Sequence, residues 1–521
     1  MSIVRVIDVH SVANPPCFVV FQGGFRHFRW PGAAAPAKTF RMQFPFRYRL
    51  TALLLSVAAL VSACTSSSSL SSGGNSGRRE TALDRYVHKP DPSYAWKLAI
   101  SIRDESATGY AIDMTSQTWL TTNEVNRTIW KHWLLIVKPD SVTSSTGLLF
   151  ISGGANRGDK PPMPSRELIR IAKETHSVVA ELKMVPNQPL IFGNDGVERT
   201  EDDLIAYSWD KYLRTGDERW PARLPMTKSA VRAMDTITAF LASPAGGGTK
   251  VDQFVVSGGS KRGWTTWTTA AVDPRVVAIC PIVIDVLNLE KSMQHHYQAY
   301  GFYAPAVGNY TEHHIMDWNG TPESKALYGI EDPFSYRDRL TMPKLIMNAA
   351  GDQFFLPDSS QFYFDQLTGP KYLRYVPNTD HSMRGSDAYE SLLAWQHLTA
   401  THGHLPEFTW KRETASTLTV VPKDAPRQVL LWTAHTDTVR DFRLEAVGPI
   451  WKSVPVSPDA NGNYTANITT PEKGWTGYFM ELTYDVGAAT PLKVTTNVKV
   501  IPDVLPFAPP TAMHPKGFLS R

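Results

Sequence analysis

From about Thr81 to His404 the apolar positions alternate between short runs rich in β-branched and aromatic residues and longer stretches at helical spacing. Runs at Trp133–Val137, Leu148–Ser152, Val178–Leu182, Gln253–Ser257, Val277–Ile284, Lys344–Asn348 and Tyr372–Val376 predict strands. Between them Ala230, Val231, Met234, Ile237 and Leu241 recur three and four apart behind Thr227, a residue suited to an N-cap. Such alternation predicts the α/β class, a mostly parallel sheet with helices on both faces. A sheet of this kind places its chemistry at the carboxyl ends of its strands.

The texture changes after residue 404. Thr417–Val421, Gln428–Trp432, Tyr464–Ile468, Tyr478–Tyr484 and Leu492–Val500 are rich in Val, Thr and aromatics, with Asn461-Gly462 as a turn signal among them. Residues 405–505 therefore predict a small C-terminal immunoglobulin-like β-sandwich, followed by a tail over 506–521.

The 521 residues leave room for two or three domains, and 42% hydrophobic with 20% charged residues is ordinary globular composition. The net charge of +4 is misleading. Residues 1–64 hold seven Lys/Arg and one acid, leaving 46 bases against 48 acids over the rest. No basic face for phosphates follows from that balance, so nucleic acid is not an expected partner.

Arg41, Arg47 and Arg49 precede an apolar stretch, Leu50 to Val61, that ends in Val61-Ser62-Ala63-Cys64. A basic flank, a short apolar segment and small residues predict a secretory signal over 42–63, with 1–41 an over-extended start. The stretch falls short of the roughly 20 apolar residues that span a bilayer. Val-Ser-Ala-Cys resembles a bacterial lipobox, which implies a lipidated Cys64 and a membrane partner through it. Thr65 and Ser66 after the cysteine lean towards an outer membrane or periplasmic face of the cell envelope. The Ser/Gly-rich run through residue 80 predicts a tether, and Cys280, in an apolar run, predicts a buried small hydrophobe.

The strand Gln253–Ser257 runs into Gly258-Gly259-Ser260-Lys261-Arg262-Gly263, and a helical segment follows. A serine between strand and helix, flanked by glycines, predicts the nucleophile elbow of an α/β-hydrolase domain over 81–404. The usual G-x-S-x-G is altered: Arg262 stands at the second glycine and Gly263 comes one residue later. Serine needs a base, and the base an orienting acid, in the order Ser, acid, His. Asp352 follows the strand Lys344–Asn348 and His381 follows Tyr372–Val376, which assigns them acid and base. Asp285, just past the preceding strand, is the competing acid, while Asp358 and Asp380 fit turn or capping positions. Oxyanion donors are expected from the backbone of Lys261 and from Gly154 and Ala155 in the loop after Leu148–Ser152.

Gly258 to Trp267, Ser152-Gly153-Gly154-Ala155-Asn156, Thr200-Glu201-Asp202-Asp203-Leu204-Ile205-Ala206-Tyr207 and Asp380-His381-Ser382 together resemble the PhoPQ-activated pathogenicity-related protein family, over about residues 81–500. That family is similar to esterases and peptidases of the α/β-hydrolase superfamily, which implies the fold and the Ser260, Asp352, His381 set but no substrate. A weaker likeness to glucuronoyl esterases, which carry Arg where Lys261 stands, implies that the Lys261 side chain stabilises an oxyanion.

Thr200 with Asp203 has the spacing of a capping box; the rival reading has Glu201, Asp202 and Asp203 project from a cap and hold a substrate amine. Trp264 and Trp267 beside the elbow are candidates for a pocket wall, and the long segment of about 186–225 for a cap insertion over the strand ends. His295-His296 and His313-His314 lack any accompanying metal-site pattern, so neither metal nor cofactor is expected. The pattern as a whole predicts a lipid-anchored serine hydrolase acting on a small ester or peptide through an acyl-enzyme. The rival is a non-catalytic cell-envelope binding lipoprotein on the same scaffold.

Overall fold

The first elements are a short helix, α1 (Ala82–His88), and an antiparallel meander of β1 (Ala95–Arg103), β2 (Ala107–Thr118) and β3 (Ile129–Pro139). Thr81 starts α1 with a complete capping box, its hydroxyl accepting from the Asp84 N–H while the Asp84 carboxylate accepts from its own. The computed structural model describes residues 80–158 and 160–520. The leader expected at 42–63, Cys64, the residues before them and the tether up to residue 79 lie outside it. No described helix is long and apolar enough to cross a membrane.

The chain then alternates: β4 (Thr146–Ile151), α2 (Arg166–Thr175), β5 (Val179–Leu182), α3 (Glu201–Thr215), α4 (Arg223–Ala242), β6 (Gln253–Gly259), α5 (Lys261–Val272) and β7 (Val276–Ile282). Three helices, α6 (Leu289–Tyr300), α7 (Gly308–Glu312) and α8 (Pro322–Glu331), intervene before β8 (Lys344–Ala349), β9 (Lys371–Val376) and α9 (Ala388–Ala400). The sheet order is β1-β2-β3-β5-β4-β6-β7-β8-β9, parallel from β5 to β9. This is the order of an α/β-hydrolase sheet with one extra strand at its start. The expected N-cap Thr227 is instead inside α4, its hydroxyl donating to the Arg223 carbonyl. Pro225, tolerated in a first turn, lets the helix begin earlier.

Consecutive residues of the parallel strands point to opposite faces. Leu149, Val256, Ile279 and Ile346 pack with α4 and α5 on one side, whereas Leu148, Val255, Ala278 and Leu345 pack with α2 and α9 on the other. Two buried faces explain why these strands were continuous apolar runs.

The C-terminal region comprises β10 (Phe408–Thr414), β11 (Thr417–Pro422), β12 (Gln428–Thr436), α10 (Leu444–Val447), β13 (Lys452–Pro455), β14 (Tyr464–Asn467), β15 (Trp475–Tyr484), β16 (Leu492–Thr495) and β17 (Lys499–Ile501). The expectation of a self-contained immunoglobulin-like sandwich is corrected here. β16 pairs with β9 through Thr495 and Leu373, so β16, β15, β12 and β13 continue the hydrolase sheet. Only β10, β11 and β14 form a separate layer, whose Leu418, Val420 and Ala466 join Met480, Leu482 and Val494 of the extended sheet in one core. β9 is buried on both faces, and pairing its edge with β16 covers part of an otherwise exposed ladder.

Candidate active site

β6 ends at Gly259 and α5 begins at Lys261, so the reversal falls on Ser260, at φ 59° and ψ −126°. A positive φ on a residue with a Cβ costs about 1–3 kcal/mol and needs support from its surroundings. The Ser260 N–H donates to the Ile282 carbonyl at 2.8 Å, and its carbonyl accepts from the Trp264 N–H at 2.9 Å. A Cβ on Gly258 would lie 2.9 Å from the Ile151 carbonyl oxygen, and one on Gly263 would lie 2.8 Å from that of Ile282. The second glycine of the motif has therefore moved to 263, where α5 packs directly on the backbone of β6 and β7.

The position it vacates holds Arg262, and the side chain ties three segments together. Its guanidinium covers Gly153, where a Cβ would sit 2.5 Å from Nη2. Nε donates to the Val185 carbonyl at 2.5 Å, and Nη1 and Nη2 each donate to a Glu201 oxygen at 2.7 Å. Gln188 completes the cradle, donating from Nε2 to Glu201 at 2.5 Å and accepting the Glu201 N–H at 2.7 Å. Burial alone would raise the Glu201 carboxyl, but the charges of Arg262 and Lys261 outweigh it and hold the group well below the usual carboxylate range.

These contacts overturn the capping-box reading of Thr200, which makes no side-chain cap bond. The three acids turn to nearby partners instead. Lys261 Nζ lies 3.0 Å from both Glu201 and Asp202, Tyr310 Oη donates to Asp202 at 3.1 Å, and His313 Nε2 is 2.8 Å from Asp203. The Lys261 ammonium is thus held by two carboxylates.

Past β8, Asp352 Oδ1 accepts the Phe354 N–H at 2.7 Å while Oδ2 lies 2.8 Å from His381 Nδ1. The His381 N–H donates to Gln353 Oε1 at 3.0 Å, which fixes the loop after β9 onto the loop after β8. His381 Nε2 is buried without a hydrogen-bond partner among the described residues. The competing acid Asp285 is elsewhere: Tyr363 and Tyr375 donate to it at 2.5 and 2.6 Å. Burial, together with the charges of Asp352 and Asp358, pushes its carboxyl up to about 8 against the lowering effect of the two hydroxyls. Asp358 stands at the N-cap of a 3-10 turn, as expected, but its carboxylate makes no capping bond and instead binds Arg440 at 2.5 Å and His295 at 3.0 Å in the interior. Asp380 is a turn acid, accepting from the Ser382 N–H and hydroxyl.

Ser260 opens onto a cavity whose wall includes Asp202, Lys261, Trp264, Ile284 and Phe354. The Phe354 ring lies 4.2 Å, centroid to centroid, from that of His381, so the histidine packs against a residue of the wall that Ser260 also lines. Cover comes from two segments. The insertion expected over 186–225 contributes Asp202 and Trp209 on α3, and α6 to α8 contribute Met293, Tyr310 and Tyr328.

Over residues 83–443 the chain matches the family model described as PhoPQ-activated pathogenicity-related protein. The chain belongs to that family. Autocrine proliferation repressor protein A of Dictyostelium discoideum is 39% identical over 456 residues, 82% of this chain and 92% of that protein. Among solved structures, acetyl xylan esterase 1 from Thermoanaerobacterium sp. JW/SL YS485 overlaps at TM-score 0.44 and 16% identity, covering 61% of this chain and 92% of that one. An S-formylglutathione hydrolase from Agrobacterium tumefaciens overlaps at 0.37 and 17%, covering 58% and 99%.

In this PhoPQ-activated pathogenicity-related protein the residues singled out in the sequence converge unevenly. Ser260, Lys261, Asp202 and Trp264 line one cavity, and Asp352 and His381 bond to each other beside it. Ile151 pairs with Gly258, so the loop holding Gly154 and Ala155 leaves its strand level with the elbow. The N–H groups of Lys261, Gly154 and Ala155 have no acceptor among the described residues. Glu201 and Asp203 are absorbed by salt bridges, and Trp267 is core. His295 and His296 are buried apart from the cavity, His296 accepting the Ala304 N–H. Gln188, Tyr310, Phe354 and its neighbour in the cavity wall, Phe355, were not singled out in the sequence. Arg262 alone carried a visible signal, a charge standing where the motif wants glycine.

Proposed function

We propose that the protein is a serine hydrolase acting on an ester or amide bond through an acyl-enzyme. The observation that carries this reading is the Asp352–His381 pair with its free Nε2, packed against Phe354 in the wall of the cavity into which the strained Ser260 opens. His381 Nε2 takes the Ser260 proton as Oγ bonds to the carbonyl carbon, and Asp352 holds the ring in the tautomer that leaves Nε2 basic. The N–H groups of Lys261 and of Gly154 or Ala155 receive the oxyanion, each donor lowering the barrier by about 2.7–4 kcal/mol. Collapse breaks the bond to the leaving group, which takes the proton from His381, and water repeats the sequence on the acyl-enzyme. Membership of the family supports the residue set without supplying a substrate.

A fluorophosphonate probe tests the reading. The wild type is expected to label and Ser260→Ala not to. An unlabelled wild type would leave the non-catalytic binding scaffold as the account of the fold. We also propose that Cys64 carries a lipid that anchors the enzyme outside the cytoplasm. Palmitate incorporation that survives Cys64→Ser would overturn this.

A further inference from the structure

The cavity at Ser260 has a chemical character that selects among substrates. Its wall is almost wholly apolar: Trp209 and Trp264 meet edge to face on one side, Ile284, Val286 and Met293 form another, and Phe354 leads to His381. Besides Ser260, its polar residues are Asp202, Lys261 and Tyr310, which satisfy one another, and Tyr328, which donates to Asn319. Lys261 Nζ and Tyr310 Oη take opposite oxygens of Asp202, and the other contact of the ammonium is Glu201. No charge of either sign remains there to receive an ionised group. An ammonium or carboxylate entering this space loses its water without gaining a partner, which is costly. An apolar chain displaces water at a gain of about fourfold in kcat/KM for each methylene buried.

We infer that this cavity is an acyl pocket for uncharged apolar acyl groups longer than acetyl, so that medium-chain and branched or aromatic carboxylic esters are its substrate class and free amino-terminal peptides are not. The inference rests on the serine-hydrolase reading. It rejects the amine-holding role for Asp202, the acid of α3 that lines the cavity, whose two oxygens face Lys261 and Tyr310. In the reaction Ser260 Oγ bonds to the acyl carbon, the bond to the alcohol oxygen breaks, and the alcohol leaves with the proton held by His381. Water then releases the carboxylic acid.

The test uses p-nitrophenyl esters of acetic, butanoic, hexanoic and heptanoic acids, with the 6-aminohexanoyl ester as the charged counterpart of heptanoyl. kcat/KM is expected to rise on the order of 10²-fold from acetate to hexanoate, and the ammonium-bearing ester to react at least 100-fold more slowly than heptanoate. Val286→Trp, and Ile284→Trp in case the first does not fold, should each reduce the hexanoate-to-acetate ratio tenfold or more. Thermal unfolding reports whether each variant is folded. A profile that is flat or falls from acetate, or an aminohexanoyl ester that outperforms heptanoate, overturns the pocket assignment. Ser260→Ala separates the two claims: hydrolysis that survives it removes the serine mechanism, whereas hydrolysis that depends on Ser260 but ignores chain length removes only the pocket.

Discussion

Arg262 and Glu201 meet as a two-pronged pair, with Nη1 and Nη2 each 2.7 Å from a carboxylate oxygen, and this pair joins the turn at Ser260 to the start of α3. The same guanidinium covers Gly153 and holds the Val185 carbonyl, so the loop proposed to supply oxyanion donors rests on it as well.

Arg262→Lys keeps the charge but loses the planar fork. We expect kcat to fall about 10- to 100-fold with KM little changed, because the loop around Gly154 shifts while the apolar pocket does not. Stability should fall by only about 1 kcal/mol, since the Glu201 side chain is 39% exposed and water screens the pair. Steady-state kinetics and urea unfolding separate the two effects. A change confined to KM would show that Arg262 shapes the pocket rather than the loop.

Asp352 and Asp285 both follow Ser260 at strand ends, and their substitutions should behave oppositely. Asp352→Asn removes the partner that fixes His381 and is expected to lower kcat on the order of 10⁴-fold. Asp285→Asn should leave kcat within about threefold, because its oxygens face Tyr363 and Tyr375. Its effect belongs to stability. A carboxyl raised to about 8 in the fold, against about 3.9 unfolded, binds its proton more tightly when folded. The stability it contributes is therefore complete below about pH 4 and is lost as pH rises towards 8. Urea unfolding at pH 5, 6.5 and 8.5 should show a decline in the wild type that is flatter in Asp285→Asn, and parallel curves would mean that Asp285 is ionised.

The two glycines beside Ser260 are not equivalent. Gly263→Ala would bring a Cβ to 2.8 Å from the Ile282 carbonyl oxygen and 2.9 Å from that of Gly258, both backbone atoms with little room to move. A loss of about 1–3 kcal/mol is expected, even though alanine favours a helix. Nothing lies within 4 Å of a Cβ on Gly259, so Gly259→Ala should stay within about 0.5 kcal/mol. Denaturant midpoints of the two variants decide the matter, and equal values would return the second motif glycine to no particular position.

The elbow and the two residues that follow it were legible because each sits where a buried strand ends. A parallel strand such as β6 or β8 is apolar on both faces, and that run survives in the sequence without its neighbours. β1 and β2 were not legible. β1 is mostly exposed, with Leu98, Ile100 and Ile102 in partial contact with solvent, so its pattern does not mark a core face. The salt bridges of Glu201 and Asp203 were equally hidden, since a capping box can be read over four residues while Arg262 and His313 come from 61 and 110 residues away. The same limit explains the C-terminal region: the alternation in β15 and β16 announced strands, but which edge they extend is a long-range fact.

That edge leads to the last prediction. β9 accepts β16 through Leu373 and Thr495, the Tyr375 N–H donates to the Thr495 hydroxyl at 3.1 Å, and Arg374 reaches across to Glu481 on β15, both nearly inaccessible to water. A sheet shared in this way does not divide into a hydrolase and an appendage. The full chain should unfold in a single transition, and a chain ending at His404 should aggregate rather than hydrolyse esters, because it exposes the edge of β9 and the apolar face beneath β10 and β11. Glu481→Gln should cost about 3 kcal/mol by leaving Arg374 partly uncompensated in the interior, whereas replacing both Arg374 and Glu481 by Met should recover most of that loss. Two resolved transitions, or a soluble and active chain ending at His404, would establish the C-terminal strands as a separate unit after all.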